Sequence, residues 1–73
     1  GDVDAGSRSI FYETYAIVNH IGNSMESGHY TAYGLSSGTW FHYDDARVRK
    51  LKLGEMELEN SYIFFLRRIF AEN

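Results

Sequence analysis

Two short runs of strand-forming residues, His29 to Leu35 (HYTAYGL) and Thr39 to Asp45 (TWFHYDD), are separated only by Ser36-Ser37-Gly38. Such close runs read as an antiparallel β-hairpin, and a hairpin fixes which residues stand opposite one another. Gly38 suits the left-handed position of a three-residue loop. A two-residue loop sets His29 opposite Asp44, and a three-residue loop sets it opposite Asp45. Opposed Cβ atoms lie about 5 Å apart and diagonal ones about 7–8 Å. Either register brings a carboxylate beside the imidazole at the open end of the hairpin. Gly28, just before His29, lets another backbone or a ligand approach closely.

An imidazole held by a carboxylate is the base-and-orienter half of a nucleophilic triad. The acid is expected on the proximal ring nitrogen, leaving the distal nitrogen to take a proton from the nucleophile. On spacing alone, a cross-strand His–Asp pair is more often a surface hydrogen bond than a catalytic dyad.

The rest of the chain supplies more sheet. Residues 1–9 (GDVDAGSRS) are small, polar and without period, and read as a linker or loop remnant. Ile10 to His20 (IFYETYAIVNH) is too long and too apolar for a one-sided strand, so burial on both faces is expected. Ile21 to Gly28 (IGNSMESG) is bracketed by glycines and reads as a flexible loop. After RVRKLK and Gly54, EMELEN reads as a short helix or a loop turn. Ser61 to Phe70 (SYIFFLRRIF) returns to strand composition and should close the sheet, leaving residues 71–73 as a tail. The expected fold class is mainly antiparallel β, with about four strands.

Composition bounds what such a sheet can do. At 73 residues the chain is at most one domain, and burial and ordering nearly cancel at that length. It has no cysteine, so it encodes neither a disulfide staple nor a thiol nucleophile. Hydrophobic residues at 44% and aromatics at 16% are too many for a disordered tail. A net charge of −3 disfavours phosphate-backbone binding, so no nucleic-acid partner is expected. No window reaches the ~20 apolar residues of a membrane helix, and no signal-peptide pattern is visible. Neither a membrane nor a secreted setting is expected.

Other candidates have plain readings beside them. The separations of His20, His29 and His42 fit no short metal-ligand motif, so no metal is expected. His20 reads equally as a buried histidine at a strand end. His42 alternates with Trp40 and Asp44, which puts it near the site or simply in solvent. Trp40, Phe41, Tyr43 and the SYIFFL run read as core. The basic stretch Arg47 to Lys52 is balanced by Glu55, Glu57 and Glu59 and reads as a solvated face. Arg67 and Arg68 read as ending a strand in solvent.

The blocks Tyr15-Ala-Ile-Val-Asn-His20 and Gly28-His-Tyr-Thr-Ala-Tyr33, with a glycine-bearing loop between them, resemble the His box of the ubiquitin-specific proteases. Trp40-Phe-His-Tyr-Asp-Asp-Ala-Arg-Val48 and Ser61-Tyr-Ile-Phe-Phe-Leu66 follow in order and resemble the family's Trp-aromatic-Asp-Asp-x-x-Val strand and its closing aromatic strand. The resemblance covers about Tyr15 to Arg67. It implies the C-terminal sheet segment, over residues 10–70, of a papain-like (α+β) cysteine protease domain. Such enzymes cleave ubiquitin from proteins at its C-terminal glycine, without a cofactor. By this resemblance His29 is the general base, Asp44 orients it, and Asp45 is a supporting carboxylate. His20, Gly28 and Tyr30 match positions around the channel for the ubiquitin tail, beside a mobile loop at Ile21 to Gly28.

The sequence departs from that family in having neither the Cys box, with its thiol and oxyanion-stabilising Asn, nor the fingers region. The thiol is therefore expected from another polypeptide or a separate segment of the same product, in an intracellular (cytoplasmic or nuclear) setting. A different class of function is a catalytically inactive ubiquitin-binding pseudoprotease or scaffold. A third is an autonomous small β domain.

Overall fold

A computed structural model describes residues 10–24 and 26–70. The linker expected over residues 1–9 and the tail over 71–73 lie outside the described residues. Among the described residues five strands form one sheet: β1 (Ile10–Ser24), β2 (Ser27–Ser36), β3 (Thr39–Asp44), β4 (Arg47–Lys50) and β5 (Ser61–Phe70). Their order is β4-β3-β2-β1-β5, and every pairing is antiparallel. Mainly antiparallel β is therefore the observed class, with one strand more than the four read from the sequence. The extra strand is β4, because Asp45, at a φ of 54°, reverses the chain and lets Arg47–Lys50 pair back on Phe41–Asp44. No helix among the described residues is long and apolar enough to cross a membrane.

The hairpin closes one residue later than either register read from the sequence. Ser36 and Thr39 form the last pair, so the loop is Ser37-Gly38. Both have positive φ, 50° and 82°, which is the type I′ geometry whose twist matches the flanking strands. His29 consequently stands diagonal to Asp44 rather than opposite Asp44 or Asp45.

The segment read as a flexible loop is instead the far end of a long ribbon. β1 runs out to Ser24, and β2 starts at Ser27. The register slips between Ile21 and Ser24. Two glycines make this crossing possible. A Cβ on Gly22 would lie 2.8 Å from the Gly28 Cα, and one on Gly28 would lie 2.6 Å from the Ile21 carbonyl oxygen. Their φ values of 143° and 145° are also hostile to L side chains.

Of the two readings of EMELEN, the loop turn is the one observed. Gly54 takes a φ of 87°, and turns close from Glu55 N to Lys52 O and from Ser61 N to Leu58 O. The Tyr33 hydroxyl donates to the Glu57 carbonyl and accepts from the Glu57 amide, both at 3.1 Å. That exchange satisfies backbone groups that a helix would have paired internally.

Among the described residues, burial is concentrated on one face. Ile17, Tyr33 and Leu51 are buried, with Trp40 and Met56 packed against them. β1 is not covered on both sides as expected: Ile10, Phe11 and Tyr12 are all more than half exposed. The run Tyr62 to Leu66, read as core, lies on an edge strand with every side chain at least 41% exposed. Tyr43 is exposed too, whereas Trp40 meets the expectation of a core-facing residue. Arg67 does not end its strand. It donates to Glu13 at 2.6 Å, sits 5.5 Å from the Tyr15 ring centroid, and β5 continues to Phe70.

Candidate active site

Two strands deliver the two key side chains. β2 presents His29 beside the Ile21 rung of β1, and β3 ends on Asp44. Side chains alternate along a strand, so the register places His29, Thr31 and Tyr33 on the same face as His42 and Asp44. The imidazole Nε2 lies 2.7 Å from Asp44 Oδ1, a hydrogen bond at charge-assisted length. The pair is open to solvent, at 47% and 36% side-chain exposure. Asp45 sits in the turn just beyond, and donor atoms of His29, Asp44 and Asp45 fall within 4.8 Å of one another. These three residues could offer ligand atoms to a cation here; His29 and Asp45 are exposed and Asp44 is half-buried.

Which nitrogen meets the acid is the reverse of the expectation. Asp44 takes the distal Nε2, and Nδ1 is left for a reacting group. The diagonal register is the reason. An acid about 7–8 Å away across the ladder is reached by the far edge of the ring, whereas an opposed acid about 5 Å away would meet the near edge.

The remaining candidates lie on the other face. His20 pairs with Tyr30 across β1 and β2, with ring centroids 4.7 Å apart, and Tyr62 stands 6.2 Å from the His20 ring. A Cβ on Gly28 would come within 2.7 Å of His20 Nε2. That nitrogen is buried and has no hydrogen-bond partner among the described residues. His20, Gly28 and Tyr30 are thus gathered together, with Tyr62, but across the sheet from His29 and Asp44. His42 stays near the site: it lies 5.5 Å from the Tyr33 ring and lines a recess of about 230 Å³ with Asp44, Arg47 and Arg49.

Reading the basic stretch as locally balanced holds for one pair, since Arg49 donates to Glu55 at 3.2 Å. Glu55 also accepts from the Lys52 amide at 2.6 Å. That backbone bond, with the Arg49 charge beside it, holds the Glu55 carboxyl below its ordinary value of 4.5.

Sequence reasoning missed three contributors. Asn19 donates through Nδ2 to Thr31 Oγ1 at 3.2 Å, and both residues are buried. Tyr62 completes the aromatic group, and the Tyr33 hydroxyl anchors the segment after β4. An Asn in the middle of an apolar strand was the available signal for the first. Nothing local marked the other two.

An open antiparallel sheet presenting an imidazole against a carboxylate fits the C-terminal sheet segment of a papain-like hydrolase domain. Comparison with known proteins agrees: the family model described as ubiquitin carboxyl-terminal hydrolase matches residues 3–66. Ubiquitin carboxyl-terminal hydrolase 9 of Arabidopsis thaliana is 37% identical over 67 residues, covering 89% of this chain and 7% of the relative. Ubiquitin carboxyl-terminal hydrolase 43 of Homo sapiens is 42% identical over 59 residues, covering 78% and 5%. Ubiquitin carboxyl-terminal hydrolase 3 of Homo sapiens is 37% identical over 62 residues, covering 85% and 12%. The chain belongs to the ubiquitin carboxyl-terminal hydrolase family. It spans only a small part of the length of these relatives, 12% at most among the three.

Proposed function

We propose that residues 10–70 are the C-terminal part of a catalytic domain and supply the His–Asp arm of a cysteine isopeptidase that removes ubiquitin from proteins. The nucleophilic thiol comes from another chain or segment, since this chain encodes none. The observation that carries the reading is the 2.7 Å His29–Asp44 bond, formed inside the stretch that matches the family. In this reading His29 Nδ1 accepts the thiol proton, and the thiolate attacks the Gly–Lys isopeptide carbonyl. The imidazolium, held by Asp44 on Nε2, then gives its proton to the departing lysine amine. In the second half His29 takes a proton from water, which hydrolyses the thioester and frees the ubiquitin carboxylate. The partners are the ubiquitin tail, ubiquitinated proteins and the thiol-bearing segment.

The test is hydrolysis of a ubiquitin–fluorophore amide. The 73-residue chain alone should be inactive, and assembly with the thiol-bearing segment should restore cleavage. In the complete protein, His29→Ala should remove nearly all kcat, by a factor on the order of 100 to 10,000. Cleavage by the isolated chain that His29→Ala abolishes would overturn the split-site reading. Ubiquitin binding without hydrolysis in the complete protein would favour the inactive binding module instead.

A further inference from the structure

Between the core and the site lies one side-chain hydrogen bond that stability alone does not explain. Asn19 and Thr31 are only 3% and 7% exposed, on the face that carries Ile17 and Tyr33. Asn19 Oδ1 accepts no hydrogen bond among the described residues, and neither does the Oγ of Ser61, its partner across β1 and β5. A half-satisfied buried polar group is costly, and an apolar pair of similar shape would serve packing as well or better.

Its position suggests what it does. Asn19–Thr31 is the rung next to Ile21–His29. Continuing the β2–β3 register by one residue beyond Ala32–Tyr43 puts Thr31 across from Asp44. On the far side of His29 the ribbon contains Gly22, Gly28 and a register slip. Glycine-rich strands specify register weakly, and a slip of one residue would turn His29 to the opposite face. We propose that the Asn19–Thr31 hydrogen bond is a positioning pair for the reaction, pinning β1 to β2 beside the glycine ribbon so that His29 stays in line with Asp44. This rests on the catalytic reading above.

The experiment uses the complete protein that carries this chain and the ubiquitin–fluorophore amide. Asn19→Leu removes the bond together with the unpaired Oδ1. It should fold with an unchanged or higher Tm, keep its KM, and lose kcat by on the order of 10- to 100-fold, the effect of a misplaced catalytic group. Thr31→Val should lose kcat similarly, whereas Thr31→Ser, which keeps the hydroxyl, should stay near wild type. In an Asp44→Ala background both losses should vanish, because the alignment they protect is already gone. Unchanged kcat in both variants, an equal loss in the Asp44→Ala background, or failure of both to fold overturns the proposal. A wild-type protein inactive or insensitive to His29→Ala would instead overturn the catalytic reading.

Discussion

At the scale of single residues, Asp44 and Asp45 differ in geometry more than in chemistry. Asp44 is the last residue of β3 and bonds the imidazole; Asp45 sits in the following turn at positive φ. Only the first is held by a strand, and only the first can fix the ring tautomer. In the complete protein, Asp44→Ala should therefore lower kcat by on the order of 100-fold, while Asp45→Ala should cost less than about tenfold. Steady-state kinetics on both variants checks this, and equal losses would mean the two acids share the task. Glu55 offers a pH readout away from the site. Its bond to the Lys52 amide favours the charged form, so the folded state binds fewer protons than the unfolded one near pH 4.5. The contribution is full above that pH and fades as pH falls through the lowered folded value. The Lys52 amide resonance should titrate with a midpoint below 4.5 and become flat over that range in Glu55→Gln.

At the scale of elements, the β1–β2 ribbon is the part on which the site depends most. An added methyl at Gly28 meets the Ile21 carbonyl at 2.6 Å and the His20 ring at 2.7 Å, with φ already at 145°. Gly28→Ala should cost about 1–3 kcal/mol of stability and reduce kcat by moving His29, as unfolding and kinetics on the same protein would report. Gly38 has nothing within 4 Å of an added Cβ. There Gly38→Ala carries only the backbone cost of a left-handed residue, roughly 1 kcal/mol, and should leave kcat intact. These glycines also mark where the sequence was legible. The hairpin could be read because turn chemistry is local, and it put an acid near His29; the preference for Asp44 over Asp45 came only from the family resemblance. The register could not be read, because choosing between Ser36 and Ser37 as the first loop residue rests on twist matching with strands on either side. β1 beyond His20 was read as loop because its Gly, Asn and Ser composition is that of a turn. It is a strand because its partner is a second glycine-bearing stretch that fits against it. His20 and Tyr30 were singled out only by resemblance, and neither their pairing nor their side of the sheet, both of which follow from the register, was legible.

At the scale of the whole molecule, the sheet is open. Its radius of gyration is 15.9 Å, against about 11 Å for a compact domain of 73 residues. Among the described residues three buried apolar side chains form the core, while Ile10, Phe11, Tyr12, Ile63, Phe64, Phe65 and Leu66 are exposed at 41% or more. Exposed apolar side chains of this kind, on β1 and on the long edge strand β5, invite pairing and aggregation. The isolated chain should bind a hydrophobic dye and unfold without a sharp transition, and dye binding should fall on assembly with the thiol-bearing segment. A monodisperse monomer with cooperative calorimetric unfolding would show that it stands alone as a domain. The expectation of coverage on both faces came from composition, which records what a strand can bury and not what lies against it here.

The register slip in the ribbon falls on the tip side of the Ile21–His29 rung. Residues gained or lost between Ser24 and Ser27 are therefore absorbed before they reach the imidazole, whether their number is odd or even. A single residue inserted between Asn19 and Ile21, or between His29 and Thr31, has no such refuge and inverts the parity of every side chain beyond it. Natural variation in this ribbon should accordingly be free in length at the tip and frozen in length at its base.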